Sequence, residues 1–169
     1  PKHIRLGRKD YILIPEASGK VNILSRTGQE RVPVKEKLEL SGNQWYEYNG
    51  DFLSAINTGE VVKINERGQI KKEDLDFSDN VKVAATEKTF VSLSENELRI
   101  KDQVVNLDYG LYTAPVIFPV NGKTYVSVTD LQAHKVYLFN SNAELLEGFP
   151  VYGNSSVDLA NIDKDAALE

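Results

Sequence analysis

The sequence predicts an all-β protein: a β-propeller or propeller fragment of about four blades of four antiparallel strands, plus the first strand of another. Three observations lead there. Aromatic residues open a repeated pattern at Tyr11, Phe52, Phe90 and Tyr125, with spacings of 41, 38 and 35 residues. Each repeat has the same order of apolar strand, small polar turn, second apolar strand and second turn. Four short strands per repeat of about 40 residues is the period of a propeller blade. Helix has no comparable claim, because 34–40 and 71–77 are short, polar and poorly periodic and read as loops between blades.

Within each repeat the central pair of strands is the clearest element. These pairs are 11–14 with 21–24, 52–56 with 61–64, 90–93 with 97–100, and 125–128 with 135–139. They are apolar at nearly every position, as expected where both faces of a sheet are packed. Ser18-Gly19, Thr58-Gly59 and Glu95-Asn96 separate the paired strands, and these residue types tolerate the positive φ of hairpins. Thr27-Gly28 and Arg67-Gly68 follow the third strands of repeats one and two, and Asn142-Ala143 holds that place in repeat four. Leading strands are expected at 4–6, 45–48, 81–84 and 115–118. Trailing strands are expected at 31–34, 69–70, 104–107 and 145–146. The chain therefore reads as one domain, 1–169, with blades at 3–37, 43–75, 80–108 and 113–151 and the start of a further blade at 157–169. The chain begins at Pro1 and contains no Met, so the reading is of a segment from a longer protein.

Composition narrows the function. The 169 residues hold 20 Lys+Arg and 25 Asp+Glu, a net charge of −5, which argues against a dedicated nucleic-acid binder. No apolar run approaches the length of a membrane span. The absence of Cys excludes disulfides, thiolate metal sites and Cys nucleophiles. Charge is uneven: residues 1–37 carry nine bases against four acids, and the remainder carries eleven bases against twenty-one acids. Such asymmetry can mark complementary faces in an assembly.

Catalytic chemistry has little to draw on. His3 and His134 are the two histidines, one near the N-terminus and one in a turn, and no Gly-x-Ser-x-Gly or phosphate-binding glycine loop occurs. Aromatics concentrate instead at Trp45-Tyr46-Glu47-Tyr48 and Asp108-Tyr109-Gly110-Leu111-Tyr112, making Trp45, Tyr48, Tyr109 and Tyr112 the candidate interaction residues. The alternative is that alternate residues of these strands split between core and surface.

The stretch 136–151, an apolar strand, a polar turn and then Gly148-Phe149-Pro150, resembles the blade ending of quinoprotein-dehydrogenase-like and FG-GAP-like propellers. With a single Trp the chain lacks the tryptophan-docking pattern of quinone-binding blades, so no quinone is implied. The stretch 157–169 resembles the start of an FG-GAP-type blade, and that likeness implies calcium ligands at Asn161, Asp163, Asp165 and Glu169. Ala166 stands where Gly usually permits the loop to turn, which favours an acidic turn and no cofactor. Resemblance alone leans the compartment toward the periplasm or cell surface.

The sequence thus favours a non-enzymatic interaction or scaffold module that engages a protein partner or self-associates through exposed blade edges, with no nucleic acid and no membrane span. Its rival is an accessory or catalytic module of a hydrolase using acidic residues. Calorimetric titration with Ca²⁺ should show no micromolar binding; heat at that affinity, abolished by Asp163→Ala, would establish the calcium loop.

Overall fold

The computed structural model describes residues 1–76 and 80–159. Among these are sixteen strands and no helix, arranged as four four-stranded antiparallel sheets, the blades of a β-propeller. The first blade contains β1 (Lys2–Leu6), β2 (Lys9–Pro15), β3 (Val21–Leu24) and β4 (Glu30–Val32). The second contains β5 (Tyr46–Tyr48), β6 (Asp51–Ala55), β7 (Val61–Ile64) and β8 (Ile70–Glu73). The third contains β9 (Lys82–Ala85), β10 (Phe90–Ser94), β11 (Glu97–Ile100) and β12 (Gln103–Asn106). The fourth contains β13 (Val116–Val120), β14 (Lys123–Asp130), β15 (Lys135–Asn140) and β16 (Val151–Tyr152). In every sheet the strands lie in chain order. The chain divides into two compact units, Pro1–Phe90 and Val91–Glu169.

Tyr11, Phe52, Phe90 and Tyr125 lie on β2, β6, β10 and β14, the second strand of each successive sheet, as the spacing predicts. Their registers are not all equivalent. Ile12 pairs with Leu24 and Phe52 with Ile64, so Phe52 corresponds to Ile12 and the first two blades repeat at 40 residues. A one-residue slip moves a side chain to the opposite face of its sheet. Tyr11 therefore faces forward from the first blade and Phe52 backward from the second, and their rings meet edge to face at 5.1 Å. They share a core with Leu13, Ile23, Trp45 and Val62. The buried Tyr11 hydroxyl donates to Glu66; burial first and the Glu66 carboxylate second push it up to about 12.

Within the second unit, Val91, Leu93, Leu98 and Ile100 of the third blade pack on Val126, Val128, Tyr137 and Phe139 of the fourth. Alternation of side chains puts Tyr125 and Leu138 on the other face of the fourth blade, with Phe118.

One turn geometry recurs. At 25–29, 65–69 and 140–144 the first residue's N–H donates to the fifth residue's carbonyl, and the fourth residue's N–H donates to the first residue's carbonyl. The fourth residue is left-handed in each: Gly28 at φ 79°, Gly68 at 78°, Ala143 at 62°. Asn65 and Asn140 lock their turns alike, each side-chain oxygen accepting from two turn N–H groups at 2.8–3.1 Å. Asn49-Gly50 and Asn121-Gly122 join β5 to β6 and β13 to β14 with positive φ at both residues, the two-residue hairpin that matches strand twist.

Two expected elements differ. The expected loop at 71–77 begins as strand, because β8 continues to Glu73, whose carboxylate joins Lys63 across the sheet at 2.8 Å and Lys71 at 2.7 Å. In the fourth blade Leu145 makes only an isolated bridge to Phe139; the trailing strand is β16, after the Gly-Phe-Pro stretch with its cis Phe149–Pro150 bond. Of the expected further blade, 157–159 carries no strand, and Val157 and Leu159 pack against Phe118, Tyr125 and Leu138. Residues 160–169 lie outside the described residues.

Gly28 and Gly68 provide a matched stability test. A Cβ on Gly28 meets nothing within 4 Å, whereas on Gly68 it lies 2.0 Å from the Pro33 carbonyl oxygen. Gly28→Ala should cost about 1 kcal/mol from left-handed strain alone, and Gly68→Ala about 3 kcal/mol once backbone displacement is added. Urea denaturation of both variants checks this; equal losses would mean that the Pro33 contact is not tight.

Candidate interaction surface

The linkers entering the second and fourth blades are built alike. Before the second blade, Leu40 bridges Ile56 and the Asn57 N–H donates to the Glu39 carbonyl at 2.8 Å. Before the fourth, Tyr112 bridges Asp130 and the Leu131 N–H donates to the Leu111 carbonyl at 2.7 Å. This aligns Lys37-Leu38-Glu39-Leu40 with Tyr109-Gly110-Leu111-Tyr112, and Ile56 with Asp130.

Polarity is inverted between the two. In the earlier linker Leu38 and Ile56 are buried while Lys37 and Glu39 face solvent. In the later one Asp130 is buried, Gly110 is itself exposed, and the outward side chains are Tyr109, 89% exposed, and Leu111, 59% exposed. Asp130 is 2% exposed, and its Oδ1 accepts from the turn N–H groups of Gln132 at 2.8 Å and Ala133 at 3.1 Å. A buried carboxylate needs such donors to offset lost hydration. Its Oδ2 lies 2.5 Å from where a Cβ on residue 110 would stand, so any side chain there would have to displace the Asp130 carboxylate. A small residue and a buried acid thus replace two aliphatic side chains and fix the linker's path. Leu131-Gln132-Ala133-His134, the turn capped by Asp130, has β16 on its other side. The Gly153 N–H donates to the His134 carbonyl at 3.0 Å, and the His134 and Tyr152 rings lie 5.8 Å apart. Val151 and Tyr152 are 43% and 84% exposed.

The four aromatics singled out in the sequence separate accordingly. Trp45 is in the core of the first two blades and Tyr112 in the core of the second unit, each 2% exposed, so neither presents its ring to a partner. The Tyr112 hydroxyl donates to the Asp108 carbonyl at 2.8 Å; burial, then Tyr137 and the Asp130 and Asp108 charges, push its pKa up, so it stays protonated. Tyr48 is half-buried, its ring 5.9 Å from Phe90 with Lys63 above it. Tyr109 alone of the four stands free in solvent. Leu111, Val151 and Tyr152 escaped sequence reasoning, since an exposed position on a linker or at a strand end follows no apolar period. The repeat alignment of Leu111 with Glu39 was the available signal.

His3 bonds Asp10 at 2.9 Å, and Arg26 lies 3.5 Å from the same carboxylate. The His3 hydrogen bond, with the charges of Arg26, His3 and Arg5, holds the Asp10 carboxyl below its usual range against the opposing effect of burial. His134 is exposed in its turn. Among the described residues no group of three or more His, Cys, Asp or Glu gathers to hold a metal. Asn161, Asp163, Asp165 and Glu169 lie outside the described residues, and among the described residues no helix is long and apolar enough to cross a membrane.

A double-mutant cycle tests the close approach of Gly110 to Asp130. Gly110→Ala should destabilise the chain by about 2 kcal/mol through overpacking against Asp130. In an Asp130→Ser background, where the shorter side chain still faces the turn, that loss should shrink by about 1 kcal/mol. Thermal unfolding measures the cycle; strictly additive losses would show that the two residues do not meet.

No protein-family model matches the chain, and no curated protein matches it. Solved structures do. One is the computationally designed Ika8 protein, with a TM-score of 0.58 and 17% identity over 94% of this chain and 51% of that one. Another is a protein of unknown function from Bacteroides caccae, with a TM-score of 0.52 and 14% identity over 90% of this chain and 64% of that one. The chain thus spans about half the length of the first and less than two thirds of the second. At these identities the likeness is one of fold.

Proposed function

We propose that the chain is a non-enzymatic β-propeller interaction module that engages a protein partner through Tyr109, Leu111, Val151 and Tyr152, on either side of the 131–134 turn. The inverted linker carries this reading. In a repeat architecture the second blade serves as an internal reference, and there the outward positions are Lys37 and Glu39. At the fourth blade the same backbone presents a tyrosine and a leucine, and a buried Asp130 stands where the second blade has Ile56. Clustered exposed apolar and aromatic side chains mark association surfaces, and a local departure from the folding pattern marks functional sites. All the large hydrophobic side chains that stand exposed among the described residues belong to the second unit.

Rigidity supports the same conclusion. The linker is pinned by the Leu131–Leu111 hydrogen bond, by Thr113 N–H to the Thr129 carbonyl at 2.9 Å, and by the Tyr112 anchor. A preorganised aromatic loses little entropy on binding. The proposed module uses no cofactor and no catalytic residue.

Panning a displayed random-peptide library on the chain tests the reading. Peptides should be enriched on the native chain and lost on a Tyr109→Ser/Leu111→Ser variant. Absence of enrichment, or equal enrichment on both, would overturn it.

A further inference from the structure

Each of the four sheets has two edge strands, and seven of these eight are guarded against further pairing. β1, β4, β5, β8 and β9 each contain a charged residue, from Lys2 and Arg5 on β1 to Lys82 on β9. β13 contains Pro119, and β16 is two residues long and follows Pro150. Charges, proline and shortness are the devices by which a sheet keeps another strand from adding to its edge. β12 has none of them. Its residues are Gln103-Val104-Val105-Asn106, neutral throughout, with Val104 52% exposed.

The backbone of β12 is set for a partner. The two-residue turn Lys101-Asp102 joins it to β11, pairing Ile100 with Gln103 and Leu98 with Val105. The Leu107 N–H continues the ladder by donating to the Asn96 carbonyl at 2.8 Å. Along an antiparallel strand, residues that bond to one neighbour alternate with residues whose polar groups point the other way. Gln103, Val105 and Leu107 therefore bond toward β11, and the N–H and C=O groups of Val104 and Asn106 point away from the sheet. Among the described residues no backbone group meets them from that side. Neighbouring blades of a propeller pack on the faces of a sheet, so its edges rely on local protection that β12 lacks.

Charge selects the occupant. The strip Asp102-Gln103-Val104-Val105-Asn106-Leu107-Asp108 has an acid at each end and no base. Neither carboxylate joins an ion pair among the described residues, and Arg99, which lies opposite Val104, is engaged by Glu97 at 2.5 Å. A second copy of β12 fits poorly. Antiparallel pairing that satisfies Val104 and Asn106 of both copies sets Asp102 of one opposite Asp108 of the other, at both ends, and like charges directly opposite are destabilising. An extended segment with a basic residue at each end sets opposite charges there instead.

We infer that β12 is a strand-addition site for an extended, basic-ended peptide segment of a partner protein. Hydrogen bonds to the backbone of Val104 and Asn106 hold the segment, its apolar side chains lie beside Val104, and its terminal bases meet Asp102 and Asp108. Backbone groups make this contact without the Tyr109 and Leu111 side chains, so it goes beyond the interaction surface proposed above and is tested apart from it.

Amide exchange followed by NMR tests the inference, with the end-capped synthetic peptide Lys-Thr-Val-Thr-Val-Thr-Lys as probe. In the free chain the Val104 and Asn106 amides should exchange fast and those of Val105 and Leu107 slowly. Millimolar peptide should slow exchange at Val104 and Asn106 by about tenfold. N-methylation of one alternate set of peptide amides should abolish this protection, and N-methylation of the other set should preserve it. Replacing both peptide lysines by glutamate should weaken binding about tenfold. On the chain, Val104→Lys should abolish protection with the melting temperature unchanged, whereas Tyr109→Ser/Leu111→Ser should retain it. Should Val104→Lys unfold the chain, the peptide series on the native chain decides. Absence of protection, indifference to both N-methylated sets, or equal binding of the glutamate peptide would overturn the inference. So would a two-chain mass in light scattering that Val104→Lys abolishes, which would give the edge to a second copy.

Discussion

Coverage of both faces of the central strands is the constraint on which the remaining structure depends. A four-stranded sheet of this size has no core of its own, and its second and third strands are apolar on both sides. β2 and β3 alternate between Tyr11, Leu13, Val21 and Ile23 on one face and Ile12, Ile14, Asn22 and Leu24 on the other. Every blade therefore needs a neighbour on each side, and stability lies in the interfaces as much as in the sheets. The edge-to-face contact of Tyr11 with Phe52 shows the result: residues from opposite faces of successive sheets complete one core.

Linkers contribute to the same coverage. Val34, Leu38 and Trp45 all lie between β4 and β5 in sequence, yet all are buried in the first interblade core. The backbone must pass close to the preceding turn to place them, and Gly19 permits this, since a Cβ there would stand 2.4 Å from the Leu38 carbonyl oxygen. The Leu38 N–H donates to the Gly19 carbonyl at 2.9 Å at the same crossing. A linker held this firmly is also a platform, because its outward residues are fixed as well as its inward ones. That is how a two-residue exchange at the entry to the fourth blade, Leu38 and Ile56 giving way to Gly110 and Asp130, accompanies a change of outward chemistry from Lys37 and Glu39 to Tyr109 and Leu111.

Blade repetition makes such departures interpretable without relatives. The recurrent turns at 25–29, 65–69 and 140–144 share backbone hydrogen bonds and a left-handed fourth residue, so differences among blades reflect side-chain choice on a common frame. Ala143 in place of Gly is a minor difference, accommodated by packing on the apolar cluster of the second unit. Asp130 in place of Ile56 is a major one, because burial of a charge requires the donated N–H groups of Gln132 and Ala133.

By itself the sequence determined the strand pairs, their antiparallel order and the four-blade repeat, because apolar alternation and turn chemistry are local and recur at a fixed period. It also marked Tyr109, although it put Trp45 and Tyr112 in the same class. Two hairpin turns, Asn49-Gly50 and Asn121-Gly122, were legible and went unread beside the longer Gly-bearing turns. What only tertiary structure decided was which face each aromatic occupies. A strand shows two faces of near-equal apolarity here, and a single-residue register difference between Tyr11 and Phe52 is invisible to spacing alone. Trp45 and Tyr109 are both aromatic residues beside polar neighbours on a linker or strand edge. One is buried because the first two blades close over it, and the other is exposed because the capped turn at Asp130 and the lack of a side chain at Gly110 hold its backbone with the ring outward. Burial is a property of what packs against a residue from elsewhere in the chain, and that information is not local.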